Sequence, residues 1–303
     1  MKRRIVKQGN STLTISLPAS WTKQQDLKDK DEVDVEERDE GLYIGARKLP
    51  APRSISVDLT GFNNNLIRRY LYSLYKQGYE EIELTFSDFT VDKNNKKIDT
   101  LRYIQEIVNH LFGVEIVDQK KNFCRIKDLT GVLEDEFDRM LSRIIFSLST
   151  IFSSFKDFLK KGLTNEDILY QHEVIEKFSI YCHRLLNKRI HPKATIYYNF
   201  IFDLKFSADI LGYLSREIYE KRIKVTEQDI NIFKQVSDIF DRFFKLYHKF
   251  DKEKLMDIVV TRRKIYDEIN QVKFKSYALL VIRLSTLLGL MANLTENLLE
   301  IKI

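Results

Sequence analysis

The side chains best suited to binding chemistry cluster at the start of the chain. Residues 1–25 read MKRRIVKQGNSTLTISLPASWTKQQ and hold no carboxylate; the first is Asp26. A basic arm of Lys2, Arg3, Arg4 and Lys7 runs into Gly9-Asn10-Ser11-Thr12. Leu13, Ile15 and Leu17 then alternate with Thr12, Thr14 and Ser16, the period of a strand with one apolar and one hydroxyl-bearing face, and Pro18 closes it. Lys and Arg displace the cations condensed on a nucleic-acid backbone, and Ser, Thr and Asn donate to phosphate oxygens. A surface of this composition therefore fits phosphate-backbone contact. A solvated basic terminus accounts for the charge equally well, and charge alone does not choose between them.

No other stretch assembles site chemistry. The five histidines (His110, His172, His183, His191 and His248) lack ligand spacing. His172 and His183 share a helix face but stand about three turns apart, too far to chelate one ion. Cys124 and Cys182 are the two cysteines, far apart and without metal-like spacing, which suits a reducing compartment. There is no Gly-rich phosphate loop and no nucleophile–base pair, so no enzyme activity is expected. Lys221-Arg222 and Arg262-Arg263-Lys264 read as solvated helix cations. Arg68-Arg69, beside an apolar stripe, suits either an anion or a helix-surface ion pair.

The elements that must carry these residues follow from composition and periodicity. The chain has 303 residues, 44% hydrophobic and 31% charged, which describes a soluble globular protein of two or three domains. A net charge of +6 permits an anionic partner without demanding one. With 4 Pro and 10 Gly, long unbroken helices are expected. No apolar run follows the basic N-terminal residues, and Tyr277–Leu294 is interrupted by Arg283, Ser285, Thr286 and Asn293. Neither a leader nor a membrane span is therefore expected, and the cytoplasm is the expected location.

Residues 1–48 read as strand, strand, short helix, strand, turn, strand. So small a unit buries little surface by itself, which points to a dimer. Leu49-Pro50-Ala51-Pro52 is a stiff linker. Residues 53–128 read as a small α/β domain. Its strands are Ser54–Leu59 and Ile82–Phe86, its helices Asn64–Gln77 (stripe Leu66, Ile67, Tyr70, Leu71, Leu74, Tyr75) and Thr100–Phe112. A polar loop spans Asp88–Lys97, and a hairpin runs through Val114–Val117 and Phe123–Ile126. From residue 132 to 303 the period is helical, as two sets of three helices, 132–222 and 226–303. The abundant Phe and Tyr fall at core spacing, and Thr226-Glu227-Gln228-Asp229 forms a capped helix start.

Two resemblances attach to these residues. The order of basic strand, Gly9-Asn10-Ser11, Leu17-Pro18, Ala19-Ser20-Trp21 and Leu27-Lys28-Asp29-Lys30-Asp31-Glu32-Val33-Asp34-Val35 resembles the AbrB/MazE/SpoVT DNA-binding domain. The resemblance implies a swapped-hairpin β-barrel in which two chains interleave on double-stranded DNA. Carried over by position, Arg3, Arg4, Lys7, Asn10, Ser11 and Lys23 face the DNA, with Lys2 beside them. Thr22-Lys23 stands where the best-known members carry paired arginines, which implies fewer bidentate guanine contacts. The helical half resembles the PhoU family, two consecutive three-helix bundles, through Val174–Phe178 with His183–Leu186 and through Leu204–Glu220. That family's metal-binding carboxylates are worn away here. Asp209 remains, but Leu211, Gly212 and Ser215 surround it, and Ser285, Leu287 and Met291 fill the matching region of the last helix. No metal cluster and no other cofactor is expected.

The three parts in this order resemble archaeal phosphate-uptake regulators. The resemblance implies a dimeric or larger transcription regulator, with a phosphate-transporter component or a sensor kinase as its protein partner. The competing expectation is a signalling adaptor whose barrel serves only dimerisation. The AbrB-like part alone would also suit an antitoxin, but a folded helical half of this size counts against that role.

Overall fold

The computed structural model describes residues 2–9, 11–38, 41–46, 53–93, 96–130, 136–162, 164–188, 191–271 and 278–303. The chain divides into two compact units, 1–54 and 55–303.

The first unit contains β1 (Val6–Gln8), β2 (Thr12–Thr14), α1 (Ala19–Gln24), β3 (Val33–Arg38) and β4 (Gly41–Ala46). The element order is the one periodicity predicts. β1 pairs antiparallel with β2 and β3 with β4, as separate two-stranded sheets. β2 stops at Thr14 rather than running to Leu17, because β1 offers ladder partners only from Val6 to Gln8. Pro18, with φ −64°, precedes the first residue of α1, where its fixed dihedral suits helix entry.

The second unit begins with β5 (Ser54–Asp58), α2 (Asn64–Lys76), β6 (Glu81–Thr85), β7 (Thr90–Lys93), β8 (Lys96–Asp99), α3 (Thr100–Asn109), β9 (Val114–Lys120) and β10 (Phe123–Asp128). The sheet order is β5-β6-β10-β9. Its strands alternate, so Val57, Ile82, Leu84, Cys124 and Ile126 face α2 and α3 across one core. On α2, Ile67, Leu71, Leu74 and Tyr75 are buried, but Leu66 and Tyr70 of the expected stripe stay exposed. The expected polar loop is in part a hairpin: β7 and β8 pair antiparallel with Val91 opposite Ile98. One cross-strand apolar pair, with Val91 buried under α3, is enough to order a segment that is otherwise charged. Asp99 caps α3 by accepting from the Arg102 amide at 2.9 Å, which fixes the helix start where Thr100 was expected. That helix ends at Asn109, short of Phe112.

The helical half follows as α4 (Glu136–Lys161), α5 (Glu166–Lys188), α6 (Ala194–Glu220), α7 (Glu227–His248), α8 (Lys252–Gln271) and α9 (Ala278–Lys302). Glu136 and Asp138 sit in the first turn of α4, where the helix dipole favours them. Thr226 and Asp229 form a reciprocal capping box: the Thr226 hydroxyl accepts from the Asp229 amide at 3.2 Å, and the Asp229 carboxylate from the Thr226 amide at 2.8 Å. The helices α4, α5 and α6 pack together, α7 packs with α8 and α9, and α6 on α9 and α4 on α7 join the two sets around one core. Phe152 and Phe240 stack at 4.3 Å in that core. The apolar period of the last helix also takes in Phe274 and Tyr277, which lie outside the described residues. By length and composition α9 could cross a bilayer, but Leu284, Leu287, Leu288, Met291 and Leu294 are fully buried in the helical core.

Helix α5 belongs to both layers. Its Ile175, Cys182 and Leu186 enter the helical core, while Ile180, Tyr181 and Leu185 enter the core under the sheet. Two polar contacts reinforce the join. Arg184, with 2% of its side chain exposed, donates to the Tyr75 carbonyl and to Asp128, each at 2.6 Å. Asn187 donates to the Lys76 carbonyl at 2.7 Å.

Candidate nucleic-acid interface

The first unit has no buried residue anywhere between 2 and 46 among those whose burial is described. Leu13 and Leu42 are each 67% exposed, and Ile5, Val6, Ile15 and Val35 are exposed with them. Leu17, Trp21, Leu27, Val33 and Ile44 are only half-buried. Burying one such side chain is worth about 1.5–3 kcal/mol, so a unit that leaves its apolar residues in water lacks the main term that holds small domains together.

The cations of this unit are exposed as well. Lys2, Arg3, Arg4, Lys7 and Lys23 all reach solvent, as does Ser11, and none of the basic ones has an ion pair among the described residues. Lys7 lies in β1, Ser11 immediately precedes β2, and the arm of Lys2, Arg3 and Arg4 leads into β1. Lys23 is carried by a different element, the last turn of α1. Asn10 lies outside the described residues.

The register refines the sequence picture at one position. Lys7 pairs with Leu13, while Val6 pairs with Thr14 and Gln8 with Thr12. Directly opposed residues of an antiparallel pair project to the same face. Lys7 is therefore on the Leu13 side, and the hydroxyls of Thr12 and Thr14 are on the other. Sequence alternation identified the two faces of β2 but not which of them receives the cation, since that depends on the pairing across the turn. The Thr14 hydroxyl is also partly committed, donating to the Val6 carbonyl at 3.1 Å.

In the second unit Asp209, the carboxylate weighed for metal, is otherwise engaged. Asp209 of α6 meets His172 Nε2 at 2.7 Å, and its two oxygens meet Lys205 Nζ at 3.0 and 2.8 Å. Burial would raise this carboxyl, but His172 and Lys205 outweigh it and hold it below the ordinary range. Among the described residues no three His, Cys, Asp or Glu side chains are grouped to hold a metal ion. His183 is buried, stacked on Tyr198 at 3.9 Å, and burial pushes it down to about 4, so it packs as the neutral ring. Sequence reasoning passed over Asp203 of α6, which is buried against α9. It accepts from Asn297 at 3.2 Å, and burial raises it to about 6 despite hydrogen bonds from Asn293 and Asn297. The signal was an acidic residue set between Phe202 and Leu204 in a largely apolar stretch of α6.

Residues 6–53 match the family model described as antidote-toxin recognition MazE, bacterial antitoxin. No curated protein and no solved structure matches the chain. The match covers the first unit, and a domain of the AbrB/MazE type there is consistent with a DNA-binding regulator that pairs with a second copy.

Proposed function

We propose that the chain is a non-catalytic, cytoplasmic transcription regulator whose first unit completes a swapped-hairpin barrel with a second copy and binds duplex DNA. One observation carries the reading: exposed cations without an ion pair stand on a unit that has apolar residues but no buried one among those described. A second copy would bury Leu13, Ile15, Val35 and Leu42 and present the basic arm twice about a two-fold axis. Lys2, Arg3, Arg4, Lys7, Asn10, Ser11 and Lys23 would then contact DNA. On the resemblance of domain order to archaeal phosphate-uptake regulators, we assign the helical half as a PhoU-like pair of three-helix bundles. Its role would be to report phosphate-transport status through a transporter component or a sensor kinase.

Fluorescence anisotropy on promoter duplexes across a salt series tests the DNA reading. Changing Arg3, Arg4 and Lys7 together to Ala removes three cations per protomer and six per dimer. Six lost phosphate contacts make the slope of log affinity against log salt shallower by about 5. Between about 50 and 200 mM salt this is roughly a thousandfold difference in how steeply affinity falls. Salt-independent binding, or an unchanged slope in the triple variant, overturns the proposal.

The placement of Lys7 on the Leu13 side favours a second reading, in which the barrel serves dimerisation only and the chain is a signalling adaptor. Deleting residues 1–48 separates the two: the adaptor loses its oligomeric state yet still captures its partner.

A further inference from the structure

A cleft of about 470 Å³ opens in the second unit between α2, α3 and α5, where the sheet layer meets the helical layer. Arg68 and Tyr72, four residues apart on α2, share one face of that helix, and Glu173 and Glu176, three apart, share a face of α5. Tyr103 and Glu106 of α3, His110 just past its end, and Lys93 of β7 also line it. The local charges are satisfied unevenly. Lys93 holds Glu106 at 2.5 Å and lies 5.5 Å from the centre of the Tyr103 ring, and the Tyr103 hydroxyl donates to the Asn64 carbonyl at 3.0 Å. Arg68, Glu173 and Glu176, by contrast, make no ion pair, and the Tyr72 hydroxyl makes no hydrogen bond, among the described residues. Tyr72 is nonetheless half-buried, and desolvation with the nearby Glu176 pushes its phenol well above the ordinary value, so it stays a donor.

A simple surface pair between Arg68 and Glu176 would have cancelled two of these charges. Instead the cleft keeps one cation and two carboxylates on different helices, with aromatic rings beside them. Among the Lys, Arg, Asp and Glu side chains of the lining, carboxylates outnumber cations by one (Glu106, Glu173 and Glu176 against Arg68 and Lys93). A ligand that answers Arg68, Glu173 and Glu176 therefore carries one carboxylate and two cationic groups. A diamine leaves Arg68 unmatched, and a neutral amino acid leaves one glutamate unmatched. Tyrosine faces also attract an ammonium or guanidinium, which adds to the match. The volume suits a molecule of this size.

We propose that the cleft binds a free basic α-amino acid, its carboxylate on Arg68 and its two cationic groups shared between Glu173 and Glu176 beside Tyr72. Because the walls come from the sheet layer and from α5, an occupied cleft stabilises the packing of one on the other by mass action. The inference concerns the second unit alone and stands or falls separately from DNA binding.

The test is calorimetric titration of the full chain with lysine, arginine and ornithine, with leucine, glutamate and a diamine of matching length as controls, followed by thermal melts at saturating ligand. Saturable binding of at least one basic amino acid is expected, tighter than the diamine and the other controls, with a raised melting temperature. Arg68→Met and the double change Glu173→Gln, Glu176→Gln are each expected to weaken binding by roughly tenfold or more, since each removes charge-assisted hydrogen bonds. Both sets of side chains reach solvent, so both variants retain the helical circular dichroism of the parent. No saturable binding of any basic amino acid at millimolar concentration overturns the proposal. Diamine binding as tight as the amino acid's, or amino-acid binding indifferent to Arg68→Met, overturns it equally.

Discussion

Replacing Arg184 with Met tests how the two layers of the second unit are joined. Met keeps much of the buried volume but removes the donor at 2.6 Å from the Tyr75 carbonyl, the donor at 2.6 Å from Asp128, and the cation 4.5 Å from the centre of the Tyr75 ring. Breaking a buried pair from one side costs about 3–5 kcal/mol, because the remaining charge is left without its partner. Two contacts survive here. Lys188 still reaches Asp128 at 3.1 Å, and the Gly78 amide still donates to the Tyr75 carbonyl at 3.0 Å. The loss should therefore fall at the low end, about 3 kcal/mol. Urea unfolding followed by far-UV circular dichroism reads the second unit, since the helices dominate that signal, while the single tryptophan, Trp21, reports on the first unit. The pH dependence provides a second check. Burial alone would raise the Asp128 carboxyl, but Arg184 and Lys188 outweigh it and hold it below the ordinary value. Its folded value is depressed, so its contribution is complete above the unfolded carboxylate value and is lost as pH falls through the folded one. The deficit of the variant should be full at neutral pH and shrink in acid, where the carboxyl is protonated in both proteins. A deficit under about 1 kcal/mol at neutral pH, the range of an exposed pair, would refute the reasoning. So would a deficit that does not change with pH.

Asp203→Asn should stabilise the protein above the carboxyl's folded value of about 6, by up to about 3 kcal/mol, and leave stability near pH 4 almost unchanged. The sign follows because the folded value is raised: the wild-type protein loses stability as pH rises through that window, and the amide does not ionise. Urea midpoints at the two pH values check it. Gly113→Ala should destabilise by more than about 1 kcal/mol, because φ is +71° and the new Cβ would stand 1.9 Å from the Thr130 hydroxyl oxygen. Thermal melting reads this directly, and the same change with Thr130→Gly should recover part of the loss. Leu13→Lys, on the exposed apolar set of the first unit, should shift the full chain toward monomer in light scattering while leaving its helical dichroism intact.

Local structure was legible wherever its cause lies within a few residues. The Thr226–Asp229 capping box and the short helix that follows Pro18 both depend on neighbours within one turn of helix. The long amphipathic helices were equally legible, since a repeating apolar stripe needs no knowledge of what covers it. The β7–β8 hairpin was missed because its apolar content is a single cross-strand pair, Val91 with Ile98, set in charged residues. Leu66 and Tyr70 were placed on a stripe that the packing of α2 leaves in solvent.

Sequence by itself determined the order of the elements outside the β7–β8 hairpin and the acid-free basic run of residues 1–25, because composition and short-range periodicity are properties of the chain. Tertiary structure decided which face of β1 and β2 carries Lys7, since register is set by pairing across a turn. It decided that Leu13, Ile15, Val35 and Leu42 of the first unit stand uncovered, since burial depends on what packs against them. It also brought Arg184 to Asp128, 56 residues away, and set Arg68 of α2 beside the glutamates of α5. Contacts of that separation leave no local pattern, because neither partner constrains its own neighbours along the chain.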